Sequence, residues 1–254
     1  MATPSSARAP AWLRAVTALC GLAAAGWGAV MLPLAWSSAP LEGAARRVIA
    51  GEPFRPAVLA AIADRPEPGA AFGARLPSAL YAAAVVRVEA AALARGDLAA
   101  GDARMAQAST AVDAALAVLP SDAYLWLARF WLATARFGYA PERLADLSAS
   151  YTFGPREGWV AALRNWRALG LIAQLDPTLQ QRAVDEFACM VDSGYTREAA
   201  QNLTGPGWAA RDRLIAALAL LDEEPKQALD KVLRGEGVRL PLPGLPEREE
   251  RPWR

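Results

Sequence analysis

Histidine is absent from this chain of 254 residues. Its absence removes the commonest general base, the commonest metal ligand and every mechanism that pairs a serine or cysteine with an imidazole. Cysteine is scarce: there are Cys20 and Cys189, and the first lies in an apolar N-terminal run, so the two are not placed to bridge a folded domain. Lysine occurs only at Lys226 and Lys231. The chain also lacks a glycine-rich phosphate loop, a Gly-x-Ser-x-Gly elbow and any cysteine cluster for a metal. Acids stand side by side at Asp185-Glu186 and Asp222-Glu223-Glu224. Neighbours along a helix point in different directions, so neither set converges as a catalytic pair. The expectation is a protein without catalysis, cofactor or metal, and only two carboxylates brought together from distant helices would change it.

Excess charge is missing as well. Lys and Arg number 27 against 26 Asp and Glu, a net charge of +1, which gives nucleic acid no electrostatic hold. What is present is apolar: 54% hydrophobic against 21% charged residues, enough to bury an ordinary core.

From Ala15 to Ser38 no residue is charged. A helix of that length extends about 36 Å, more than a bilayer core of about 30 Å. Trp12 and Trp36 stand at its two ends, where indole rings favour the membrane interface. A secretory signal has a shorter apolar region, and Pro40 follows the best small-residue cleavage site, Ser37-Ser38-Ala39. An uncleaved anchor at 15–38 is expected, behind a short flank at 1–14. Arg8 and Arg14 precede it and Arg46, Arg47 and Arg55 follow, a near balance in which the short N-terminus and the closeness of Arg14 favour a cytoplasmic N-terminus, with the rest of the chain outside. The expected location is single-pass in an inner (plasma) membrane, with a periplasmic C-terminal domain.

Prolines and glycines crowd 39–77, which reads as a linker with one short helix at 56–64. Residues 78–234 carry helical periodicity throughout, and no run alternates with period two. Ser78, Asp102, Ser121 or Asp122, and Asp176 are the expected helix caps, while Pro141, Pro155 and Pro225 are expected to open helices. Trp159, Leu163, Trp166 and Gly170 form the expected buried stripe of one helix. After Gly235 come four prolines among charges, which predicts an extended, disordered tail over 235–254.

The stretch "LPSDAYLWLARFWL" at 119–132 is too short and, with Arg129, too charged to be a second span. Pro120 and Pro155 are 35 positions apart, and Trp126 and Trp159 are 33 apart. Small residues precede each proline in "ASTAVDAALAVLP" and "RLADLSASYTFGP". Over roughly 78–175 this resembles the tetratricopeptide repeat, whose period is 34. One departure is Arg129-Phe130, where the family has Leu-Gly. The resemblance implies an all-α fold, a transmembrane helix followed by a solenoid of helical hairpins, with Trp126 in the interior. It also implies a scaffold that holds protein partners in or near the membrane, similar to accessory proteins of bacterial cell-envelope and surface-polysaccharide assembly. The candidate partner-binding residues are Tyr124, Arg129, Trp131, Arg136, Trp159 and Trp166. The alternative is a glycan-binding helical domain, whose mark would be Trp131 or Trp166 open on a groove wall.

Overall fold

The computed structural model describes residues 10–66, 76–96 and 98–246. Among them every regular element is helical, and the chain divides into two compact units, Met1–Leu93 and Ala94–Arg254. The division falls inside 78–234, the stretch read from sequence as one domain.

The first unit is built on α1 (Ala11–Ile49), with α2 (Pro56–Ala63) and α3 (Pro77–Leu93) packed against it. Ala11–Pro33 is long and apolar enough to cross a membrane, and none of it is buried in the protein. Unlike the expected linker, the helix continues beyond Ser38 through Pro33 and Pro40, each of which withdraws a backbone donor. Burial offsets that cost: Ser38, Leu41, Ala44 and Ala45 are enclosed, and α3 is the helix beside them. Much of α3 is Ala and Val, which allows close helix approach. Ser78 lies inside α3 rather than capping it, and its hydroxyl donates to Glu42 Oε1 at 3.1 Å. The buried Arg87 donates from Nε to the Ala63 carbonyl at 3.2 Å and from Nη2 to that of Arg65 at 3.3 Å. A cation thereby closes the negative end of α2.

The second unit contains α4 (Leu98–Leu116), α5 (Ala123–Phe137), α6 (Leu144–Phe153), α7 (Gly158–Gly170), α8 (Pro177–Asp192), α9 (Thr196–Thr204), α10 (Arg211–Ala217) and α11 (Glu223–Gly235). Each of α5/α6 and α7/α8 packs as a pair, α5 also lies against α4 and α7, and α9 meets α7, α8 and α11. This succession of packed helices is compatible with a helical solenoid. Asp122 caps α5 through Leu125 N at 2.9 Å, and Asp176 caps α8 through Thr178 N at 2.9 Å and Leu179 N at 3.1 Å.

Other boundaries differ from expectation. Asp102 lies within α4, Pro155 precedes a helix that starts at Gly158, and Pro225 sits in the first turn of a helix that starts at Glu223. Residues 236–246 form no regular element, with turns at 236–237 and 243–244, and they are packed. Val238 N donates to Leu233 O at 2.9 Å, and Leu242 is buried. The prolines prevent helix there without preventing Leu242 from entering the core. Residues 247–254 lie outside the described residues.

Candidate functional site

The site follows from the orientation of α7. Its inward face carries Val160, Ala161, Arg164, Asn165, Ala168 and Leu169. The opposite face carries Trp159, Leu163, Trp166 and Gly170, the stripe expected to be buried. Leu163 is 40% exposed and Trp166 47%. Arg164, at 0%, is one of the largest fully enclosed side chains.

A polar network inside the unit accounts for this inversion. Arg164 donates from Nε and Nη2 to Glu186 Oε1 at 2.9 and 2.5 Å. Its Nη1 reaches the carbonyl and hydroxyl of Ser150 at 2.6 and 3.1 Å, and Nη2 also reaches Gly154 O at 3.0 Å. The guanidinium's five donors are thus all used. Tyr151 donates its hydroxyl to Glu186 Oε2 at 2.9 Å, and its ring centroid lies 4.1 Å from the guanidinium carbon. Asn165 donates to Ala183 O at 2.8 Å and accepts from Asn202 at 3.0 Å; Ser150 donates to Ala123 O at 2.8 Å. Helices α5 to α9 all contribute. A buried charge pair persists only when its remaining hydrogen-bonding groups are satisfied, as here. Burial raises the Glu186 carboxyl above its ordinary range, against the opposing pull of Arg164. Burial, then the charge of Glu186, pushes the Tyr151 hydroxyl well above its usual value. Asp185, although adjacent to Glu186, accepts from Gln181 at 2.8 Å on the exposed side.

With Arg164 and Asn165 fixed inward, the helix presents its tryptophans outward. Trp166 leans on the backbone of the turn after α9: a Cβ on Gly205 would meet its ring at 3.0 Å. The indole forms one wall of a groove of about 570 Å³, together with Met105, Phe130, Trp131, Thr134, Ala135, Arg167, Gly170, Leu171 and Pro206. Arg167 supplies the only charge in that lining. Its Nη1 donates to Leu163 O at 2.6 Å, and its guanidinium carbon lies 5.7 Å from the Trp131 ring centroid. Thr134 Oγ1 is buried and has no hydrogen-bond partner.

The six candidate residues separate into three pairs. Trp131 and Trp166 meet in the groove, the first as buried lining and the second as open wall. Tyr124 is buried against the half-buried Trp159, with ring centroids 4.8 Å apart. Arg129 and Arg136 are engaged in ion pairs: Arg129 with Asp146 at 2.6 and 3.1 Å, Arg136 with Asp102 at 2.7 and 3.2 Å. Trp126 is half-buried rather than interior. Its Nε1 donates to Pro120 O at 2.7 Å, and the Arg129 guanidinium carbon sits 4.2 Å from its ring centroid. Sequence reasoning missed Arg164, Asn165, Glu186, Asn202, Thr134 and Arg167. The available signal was that Val160, Ala161, Ala168 and Leu169 make a second apolar face, smaller in volume but enclosing Arg164 and Asn165.

Among the described residues no group of three or more Cys, Asp or Glu is placed to hold a metal. The chain matches no protein-family model, no curated protein and no solved structure. Among the described residues, fold and site together define an all-helical protein with one N-terminal helix long and apolar enough to cross a membrane, and with an aromatic groove on its second unit.

Proposed function

We propose that this protein is a membrane-anchored, non-enzymatic scaffold whose second unit holds a protein partner in the Trp131–Trp166 groove. One observation carries the reading: α7 turns Leu163 and Trp166 to solvent while enclosing Arg164. Exposed apolar surface gathered beside a groove is what a partner-binding surface requires. The paired helices α5/α6 and α7/α8, each preceded by a proline, support a tetratricopeptide-like register. An anchor at Ala11–Pro33 would raise the local concentration of membrane partners. Arg8 before the span and Arg14 in its first turn favour a single-pass arrangement in the inner membrane with the bulk of the chain outside the cytoplasm. In that setting the role is an accessory one in envelope or surface-polysaccharide assembly.

Affinity purification of the full-length protein from its native membrane in mild detergent tests this, with the Leu163→Ser variant alongside. A stoichiometric partner that the variant loses is the expected result. Equal recovery with both proteins rejects the groove as the docking surface, and none with either rejects the scaffold. The exposed indole of Trp166 favours a second reading, glycan binding. A glycan array probed with the wild-type protein and with Trp166→Ala tests it, and absence of a Trp166-dependent signal rejects it.

A further inference from the structure

We propose that a cavity of about 440 Å³ between α6, α8 and the turn before α7 binds a sugar acid, its carboxylate held between Arg156 and Arg182 and its hydroxyls donating to Asp185. The cavity shares no lining residue with the Trp131–Trp166 groove, and its occupancy does not depend on the scaffold reading. Arg182, Asp185 and Cys189 recur at spacings of three and four along α8, so one face of that helix forms a wall. Tyr151 and Thr152 come from α6, and Arg156 from the turn that Pro155 opens. Arg182 reaches across to α6: its Nη1 donates to Thr152 Oγ1 at 3.3 Å, while Thr152 donates its own proton to Ser148 O at 2.9 Å. Among the described residues that is the one hydrogen bond of Arg182, and Arg156 has neither a hydrogen bond nor an ion pair.

Two guanidinium groups on one cavity, brought from different elements, make a seat for an oxyanion, and their planar forks match a carboxylate. The charge of the lining selects a monoanion. Glu186 is already answered, by Arg164 at Oε1 and by Tyr151 at Oε2. That leaves Arg156 and Arg182 against Asp185, an excess of one positive charge. A phosphate monoester, at about −1.5 to −2, would overshoot it. Asp185 accepts from Gln181 at Oδ1 alone, so Oδ2 remains as an acceptor for a ligand hydroxyl. Pro155 and Cys189 apart, every lining side chain is polar, and an acid with an apolar body would leave those groups unanswered. A carboxylate on a hydroxyl-bearing body meets all of these conditions. The volume also lies within the range of about 300–1,000 Å³ that holds small ligands.

The test is calorimetric titration of the full-length protein in phosphatidylcholine nanodiscs with glucuronate, glucose, acetate and glucose 6-phosphate. Glucuronate should bind saturably, at least about tenfold more tightly than glucose, which lacks the carboxylate, or acetate, which lacks the hydroxyls. Arg156→Gln and Arg182→Gln, both at exposed side chains, should each weaken it about tenfold. Asp185→Asn should cut its advantage over acetate about threefold or more. Trp166→Ala should bind as wild type, and thermal unfolding of every variant separates a lost site from a lost fold. Trigalacturonate distinguishes the source: tighter binding than glucuronate assigns a unit of an acidic polysaccharide, and equal or weaker binding a free acid. The proposal is overturned if neither uronate binds saturably, if glucose or acetate binds as tightly as glucuronate, or if both arginine variants keep wild-type affinity. Tighter binding of glucose 6-phosphate, or loss of glucuronate binding in a folded Trp166→Ala variant, overturns it as well.

Discussion

Arg164 and Glu186 converge on one carboxylate oxygen: Nε and Nη2 of the arginine lie 2.9 and 2.5 Å from Oε1, leaving Oε2 to Tyr151. Both side chains are enclosed, so neither charge has water to fall back on. Arg164→Met should therefore cost about 3–5 kcal/mol, because it strands a buried carboxylate. The corresponding fall in thermal midpoint is at least about 6 °C. Adding Glu186→Leu should recover most of the loss, since an apolar pair needs no partners. Calorimetry of the two variants decides, and a double variant no better than the single would contradict the account.

A neighbouring pair sets a pH dependence. Partial desolvation, then the charge of Asp122, raises the Glu157 carboxyl above its ordinary range although the residue is exposed, and burial raises Asp122. Between the unfolded and the raised folded values, the folded protein therefore binds protons more readily than the unfolded chain. The stability contributed by Glu157 is complete below its unfolded pKa and is lost as pH rises through the raised folded value. Glu157→Gln removes that loss. Its thermal midpoint should exceed wild type at neutral pH, and the two curves should meet below about pH 4. A lower midpoint for the variant at neutral pH would refute this.

The two tryptophans of the groove should differ sharply in what they contribute to the fold. Trp131 is buried, and Trp131→Ala should cost about 3–5 kcal/mol in urea unfolding. Leu163→Ser, on the outward face, should change stability by about 0.5 kcal/mol or less. A large cost at Leu163 would mean that the stripe is part of the core after all.

Cysteine chemistry reports the orientation. Cys189 is exposed on the second unit, whereas Cys20 lies inside the candidate span. A membrane-impermeant maleimide added to intact spheroplasts is expected to modify Cys189 and to spare Cys20 until detergent is added. Modification of Cys189 only after lysis would place the second unit in the cytoplasm.

The all-helical fold was legible because its signals are local. Asp122 and Asp176 cap as their sequence context predicts, and the apolar N-terminal run forms a helix long enough to cross a membrane. The orientation of α7 was not legible. Two apolar faces compete along it, and volume favours the tryptophans; the balance is decided by Glu186, 22 positions beyond Arg164. Arg129 and Arg136 share a helix face in sequence, but their partners Asp146 and Asp102 lie on other helices, and pairing of that kind leaves no periodic trace. Pro40 was misleading in the opposite sense: it suggested a linker, while the burial of Leu41 and Ala45 carries the helix through it.

The unbroken course of α1 has a mechanical consequence. In a membrane-anchored molecule, one helix of 39 residues would sit in lipid at one end and in the core of the first unit at the other. Because the helix is continuous between them, helical phase fixes which face of the span lies in line with which face of that core. One residue inserted between Pro33 and Ser38 would turn the core by about 100° and lift it by about 1.5 Å. Such an anchor would work as an indexed shaft, fixing the bearing of the unit relative to the span as well as its distance from the membrane.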